Sequence, residues 1–554
     1  MRAIEAGLRF LVQMGVNHIF GIPAGSINAL YDAMIDIPEL RSVIVKHETS
    51  AGYMAASYTR ITGVPSVCVG SSGPGATNLV SAAANAWVEK LPILFITGSV
   101  PSTKLGKGGA QELAAEPIFS SITKLSKTVL DPKRLPEAIA HAYHVAISDV
   151  PGPVHLAVPI NIQMQDIGNV QPPKPHELAF SQQVDDLTIR RVAQLISDSG
   201  SKGVLLLGHG AKVARSAIVR LTEYTGWYAA TTPRGKGAFP ENHPLSLGVY
   251  GLAGNAKAIE YLNGNEHQVL MVIGSSLGEL STCNWDPRLV KGKKLIHIDI
   301  DATELGKNYI PDIAVCGDAE IVVEQTLRHL HSSQFPESLS KLQATIHDDL
   351  LEPVQPKEEQ DWNTKIAIEQ IGACAPQNAR FYIDIGELMT YAIQNIRITH
   401  DQHFDIDINF GAMGSGIGGA IGAKLAEPHR PVICITGDGS FFMHGSEVLT
   451  AKEYRIPLLF FVINNARLGM VYHGHMLQYK RCHDDFSQER VDLSKVVDSL
   501  GIRSVQVKSL DELQPEQMQQ WLSYNEPVVI EVVVEGNEIP PMGERVKFLE
   551  GATY

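Results

Sequence analysis

Cysteine is scarce: Cys68, Cys283, Cys316, Cys374, Cys434 and Cys482 are the only six, far apart and without a CxxC pair. That excludes a disulfide framework or a paired-cysteine zinc site and points to a reducing compartment. Long apolar runs are missing too. The strongest, PLLFFVI at 457–463, is strand length, well short of the ~20 residues that span a bilayer. The N-terminal MRAIEAGLRFLVQMGV carries Glu5 and no apolar core of signal-peptide length. Positive charge is in deficit, with 46 Lys+Arg against 60 Asp+Glu and a net charge of −14. Such a surface repels phosphate backbones and anionic lipid, so neither nucleic acid nor membrane is an expected partner. A soluble, cytoplasmic protein is the expectation.

What is present is an ordinary globular balance, 44% hydrophobic and 19% charged over 554 residues. That excludes wholesale disorder. At roughly 150 residues per domain the length predicts three or four domains. Short β-branched runs, Gly-rich turns and Ala-rich helical stretches alternate. SVIVKHE precedes SAGYMAASYTRI, SVCVGSSGPG precedes ATNLVSAAANAWV, and PVICITGDG precedes SEVLTAKEY. Apolar strands without alternation imply burial on both faces, hence parallel sheets covered by helices, an α/β architecture of doubly wound type. Two polar, Pro-bearing stretches, 171–183 and 332–360, read as linkers. They divide the chain into 1–170, 184–330 and 361–536, followed by a tail at 537–554.

The densest chemical signal is GDGSFFMHGSEVLTAKEYRIPLLFFVINN at 437–465. A strand ends in Gly437-Asp438-Gly439, a helical segment follows, and a second strand ends in Asn464-Asn465. A crossover connection brings both strand ends to one sheet edge, where ligands of such folds bind. Asp438 and Asn465, 27 residues apart, then supply a carboxylate and an amide oxygen, hard ligands suited to Mg²⁺ with diphosphate. Gly437 and Gly439 let backbone approach a phosphate. A chance GDG turn is the bland alternative; the paired Asn at the next strand end argues against it.

This GDG…NN pattern resembles the signature of thiamine-diphosphate (ThDP) enzymes, and nearly the whole chain resembles their acetolactate synthase and pyruvate oxidase branch. The similar segments follow the family's order: GIPAGSINALYDAM (21–34), KHETSAGYMAASYTR (46–60), GSSGPGATN (70–78), PGPVHLAVPINIQ (151–163), GKGAFPENHPLSLG (235–248), HIDIDATELGKN (297–308) and GAMGSGIGGAIGAKLA (411–426). The resemblance implies three doubly wound parallel-sheet domains: pyrimidine-binding, central and diphosphate-binding. It implies that Glu48 hydrogen-bonds the cofactor's pyrimidine nitrogen and so governs proton transfer at thiazolium carbon 2. Met413 matches the residue wedged between the two cofactor rings, and the Gly411 and Met413 carbonyls would hold the aminopyrimidine. Arg467 would complete the shell of Asp438 and Asn465 through its backbone oxygen. Further cofactor contacts are implied for Pro23, Ala24 and Gly25, for Ser440 beside Asp438, and for Leu468, Gly469 and Met470. Gln111 matches a glutamine of the catalytic pocket.

Three positions depart from the synthase pattern, each from large to small: Ala110 for Phe, Gly474 for Trp, and Ser276 for an Arg that touches flavin. They imply a wider pocket or refilling by other residues, and no FAD is expected. His473, His475 and His483 are candidates for proton transfer or parts of a solvated lid, and the tail is a candidate lid over the pocket. The implied activity is decarboxylation of a 2-oxo acid followed by carboligation to a second carbonyl compound, in a homodimer or homotetramer. Pyruvate-oxidase-like or simple decarboxylation, a ThDP-dependent C–C lyase and a non-catalytic scaffold remain the alternatives.

Overall fold

The computed structural model describes residues 1–168, 171–174, 184–332, 362–399 and 401–542. The linkers read at 171–183 and 332–360, apart from their first positions, and the tail beyond 542 lie outside these residues.

The described residues form three six-stranded, all-parallel sheets. The N-terminal sheet comprises β1 (His18–Gly21), β2 (Arg41–Ile44), β3 (Ser66–Gly70), β4 (Ile93–Ser99), β5 (Leu125–Thr128) and β6 (Val154–Pro159). Its order is β2-β1-β3-β4-β6-β5. The middle sheet holds β7 (Gly203–Leu207), β8 (Tyr228–Thr231), β9 (Ser246–Val249), β10 (Val269–Ile273), β11 (Lys294–Asp299) and β12 (Ile313–Cys316). Its order, β12-β11-β10-β7-β8-β9, is that of a dinucleotide fold. The C-terminal sheet holds β13 (Arg380–Ile383), β14 (His403–Ile406), β15 (Val432–Gly437), β16 (Leu459–Asn464), β17 (Arg503–Val507) and β18 (Val528–Val533). It runs β14-β13-β15-β16-β18-β17, repeating the N-terminal order strand for strand.

Every residue of β3, β4, β7, β10 and β16 is buried. Unalternating runs such as VLMVI need apolar neighbours on both faces, and helices supply them. No helix among the described residues is long and apolar enough to cross a membrane.

The two outer domains meet through topologically equivalent helices, Glu48–Thr62 after β2 and Ser415–Ala426 after β14. His47 caps the first, its ring accepting from the Thr49 N–H at 3.2 Å, and Gly63 (φ 73°) ends it in the left-handed conformation. The contact is close enough to require glycine: a Cβ on Gly422 would stand 2.1 Å from the Met54 carbonyl oxygen. Buried charge ties all three domains together. Arg60 pairs with Asp407 at 2.5 Å and Glu89 at 3.3 Å, donates to the Tyr382 hydroxyl at 2.7 Å, and Arg234 of the middle domain also reaches Glu89.

Candidate functional site

In the C-terminal sheet β15 lies between β13 and β16, all parallel, so three successive strand ends open on one edge. The chain leaves β13, crosses to β14 and returns to β15, which makes this edge the switch point of the sheet. Asp384–Glu387 follows β13, Asp438–Ser440 follows β15, and Asn465–Met470 follows β16. A cleft is lined by residues of these three turns together with Met413.

Asp438 is 5% exposed and starts the helix Asp438–His444. Its Oδ1 accepts from the Gly439 N–H at 2.8 Å and its Oδ2 from the Ala466 N–H at 2.7 Å. Burial raises its carboxyl to about 6 despite these two donors. Asn465 Oδ1 accepts from the Arg467 N–H at 3.1 Å, and its Nδ2 donates to Glu387 Oε1. Between them Ala466 adopts φ 53°, a left-handed strain typical of functional turns. Glu387 Oε2 is buried without a hydrogen-bond partner, and burial, with Glu538 nearby, raises this carboxyl to about 8.

The glycines act through space more than conformation. Gly437 has φ −98°, open to any residue. A Cβ on Gly439 would crowd Met413 Cε at 3.2 Å and Leu468 Cδ2 at 3.3 Å. Met413 is held in place by Asp384, fully buried, whose Oδ1 accepts from the Gly414 N–H at 2.8 Å and whose Oδ2 accepts from the Thr436 hydroxyl at 2.8 Å. The Ser440 hydroxyl donates to the Ile385 carbonyl at 3.2 Å. The Arg467 side chain donates to the Gly536 carbonyl at 2.7 Å and lies over the Tyr472 ring at 4.3 Å, so it ties the turn after β16 to the segment after β18.

The N-terminal sheet offers a second edge. Glu48, 8% exposed, is the first residue of its helix, and its Oε2 accepts from Asn78 Nδ2 at 2.9 Å. Glu447 holds the turn before it: Oε1 accepts from the backbone N–H groups of Lys46 at 2.9 Å and His47 at 3.0 Å. Ser50 Oγ meets His444 Nδ1 at 2.9 Å. The helix that begins at Asp438 is thereby joined to the turn that presents Glu48.

The structure therefore gathers most of the sequence-derived candidates in one cleft: Met413, Gly437, Asp438, Gly439, Ser440, Asn465, Arg467, Leu468, Gly469 and Met470. Pro23, Ala24, Gly25, Glu48, Gln111 and Gly411 are not among the lining residues of that cleft. Gln111 is exposed at φ 61°, its carbonyl accepting from the Ser72 hydroxyl at 2.6 Å. The three histidines separate. His473 is buried against the Gly536 carbonyl at 3.2 Å, His475 meets the Arg481 carbonyl at 2.6 Å, and His483 is exposed beside Asp485. Asp384, Glu387 and Glu447 escaped the sequence reading. The available signal for Glu387 was position: DIGE leaves β13 where GIPAG leaves β1.

Models of the thiamine pyrophosphate enzyme family match in three pieces: the N-terminal TPP binding domain at residues 1–118, the central domain at 189–328 and the C-terminal TPP binding domain at 384–532. A probable acetolactate synthase large subunit from Methanocaldococcus jannaschii is 33% identical over 98% of this chain and 93% of its own length. The chain belongs to the acetolactate synthase family of thiamine pyrophosphate enzymes. Other members are the acetolactate synthase large subunit of Pyropia yezoensis, 32% identical over 95% of this chain and 91% of its own, and the isozyme 1 large subunit of Escherichia coli, 32% identical over 86% and 83%.

Acetolactate synthase family members use ThDP, and the cleft fits the diphosphate end of that cofactor. Buried Asp438, Asn465 and Glu387 line it, Glu387 Oε2 has no hydrogen-bond partner, and a Cβ on Gly439 would crowd Met413 and Leu468. The oxygen-only donor set suits a hard divalent cation.

Proposed function

We propose that the chain is a ThDP- and Mg²⁺-dependent enzyme that decarboxylates a 2-oxo acid and joins the product to a second carbonyl compound, as an acetolactate synthase does. When bound, ThDP supplies a nucleophilic carbon and an electron sink for the departing CO₂. Asp438, Asn465 and the Arg467 carbonyl would hold Mg²⁺, which in turn receives the diphosphate on a protein of net charge −14. Residues 361–536 would bind the diphosphate end and residues 1–170 the pyrimidine end. Met413 packs beside Gly439, where it would meet the cofactor between its rings. Glu48 would hold the proton on the pyrimidine nitrogen, from a dry position with one carboxylate oxygen fixed by Asn78.

One observation carries the reading: two domains of identical strand order each present polar side chains at the C-terminal edge of their sheet, Asp438 and Asn465 in one and Glu48 in the other. Glu48 is not among the residues lining that cleft, which supports a site completed by Glu48 of a second copy in a homodimer or homotetramer. Phe442 and Met443, 54% and 57% exposed on the helix that carries Asp438, supply apolar surface for that contact. The test is the purified protein with ThDP and Mg²⁺ against a panel of 2-oxo acids and aldehydes, with mass detection of products. Coupled C–C products support carboligation; aldehyde alone would reduce the function to simple decarboxylation; undiminished CO₂ release by Glu48→Gln would refute the mechanism.

A further inference from the structure

We infer that Glu387 sets the orientation of the Asn465 amide, so that Asn465 presents oxygen rather than nitrogen to the cation. The inference rests on the cation reading of Asp438 and Asn465 proposed above. An amide has two unlike ends, and only its oxygen ligates a hard cation. The two ends are sorted by their neighbours. Nδ2 donates to Glu387 Oε1, while Oδ1 accepts from the Arg467 N–H at 3.1 Å. Turning the amide over would set an NH₂ against the Arg467 N–H, donor against donor, and would take the Nδ2 donor away from Glu387 Oε1, which could then meet the amide oxygen only by turning its own proton toward it.

Glu387 is itself boxed in. It is 6% exposed and begins the helix Glu387–Asn395 immediately after the β13 turn. A Cβ on Gly469 would fall 1.8 Å from Glu387 Oε2, so glycine at 469 makes room for this carboxylate. His473 Nε2 stands 3.6 Å from the same oxygen. The pair Glu387–Asn465 spans 78 residues of sequence. Partners of this kind, one shell behind a metal ligand, typically govern metal affinity by ~10–100-fold.

The experiment is Mg²⁺ titration of the full chain at fixed ThDP, read by calorimetry and by protein fluorescence, with the melting temperature as folding control. Glu387→Ala is expected to weaken Mg²⁺ binding ~10–100-fold. The near-isosteric Glu387→Gln, which keeps an oxygen acceptor, is expected to lose less. The decisive arm is a double-mutant cycle with Asn465→Asp, whose side chain presents oxygen at both ends. In that background Glu387→Ala is expected to cost no Mg²⁺ affinity, because no orientation remains to be set. An equal loss in both backgrounds, or no loss in the native one, overturns the inference. Asp438→Ala separates this from the cation reading: if Mg²⁺ binding survives Asp438→Ala, that reading has failed; if it is lost while Glu387→Ala binds normally, only the orientation has failed.

Discussion

The N-terminal and C-terminal sheets share one strand order, yet their turns carry unlike residues. After the first strand stands GIPAG in one and DIGE in the other; after the second, KHE against GAMG; after the third, GSSGPG against GDGS. The scaffold in both cases brings loops to the C-terminal edge of a parallel sheet, and the loop residues decide what that edge does. One edge holds the Glu48 carboxyl on a small-residue helix, the other the buried Asp438 and Asn465 side chains. The helices after the two second strands then pack on each other, with Gly418 and Gly422 allowing backbone approach. On the proposed function, this near-symmetry of topology serves a division of labour.

The largest effects should separate the two edges. Glu48→Gln is expected to lower CO₂ release by ~2–4 orders of magnitude while ThDP and Mg²⁺ bind normally; Asp438→Ala is expected to abolish binding and turnover together. Cofactor titration beside turnover distinguishes them, and loss of cofactor binding in Glu48→Gln would break the division. Next is the buried junction. Arg60→Ala leaves the buried Asp407 without its paired cation, while Glu89 keeps Arg234, and removing one partner of such a pair costs about 3–5 kcal/mol. Chemical denaturation should report that loss, and a variant of native stability would show that the domains do not depend on this contact.

Glu447→Gln is a smaller change, since it keeps one acceptor for the Lys46 and His47 N–H groups. It is expected to cost about 1–3 kcal/mol of stability and to lower kcat more than it raises the KM for ThDP. Equal shifts in both would place Glu447 at the cofactor rather than behind Glu48. The mildest effect is acid sensitivity of the N-terminal domain. His155 lies under Phe119 (ring centroids 4.1 Å apart), hydrogen-bonds Thr97 and Ser126, and is lowered to about 3 by burial. The unfolded chain therefore binds a proton that the folded chain refuses. Stability from this group is full above about 6.5 and falls toward about 3, by roughly 1.4 kcal/mol per pH unit. Urea midpoints at pH 7 and pH 5 should move less in His155→Gln than in the native chain.

That Asp438 and Asn465 would share one cleft was legible because the relation between them is local. Asp438 and Asn465 each follow the C-terminal end of one of the two strands of a single strand–helix–strand unit, and a crossover between parallel strands brings both to the same edge. Cofactor class and fold class were legible for the related reason that buried parallel strands and glycine turns repeat along the chain. Glu387 and Asp384 were not, because their β13 turn reaches the cleft only through the pairing of β13 with β15, a non-local choice. Glu447 looked like an ordinary helix residue until the packing of the outer domains put the N–H groups of Lys46 and His47 against it.

The sequence by itself determined the layers, the repeated strand-and-turn units, the family and the residue types able to hold a cation or a proton, since each depends on neighbours within a few dozen positions. Tertiary structure alone decided which turns share an edge, that Glu387 reaches Asn465, and that Glu447 holds the turn before Glu48. Those outcomes follow from sheet order and from helix contacts spanning hundreds of residues, where burial and backbone hydrogen bonding select one arrangement among many that the local pattern would permit.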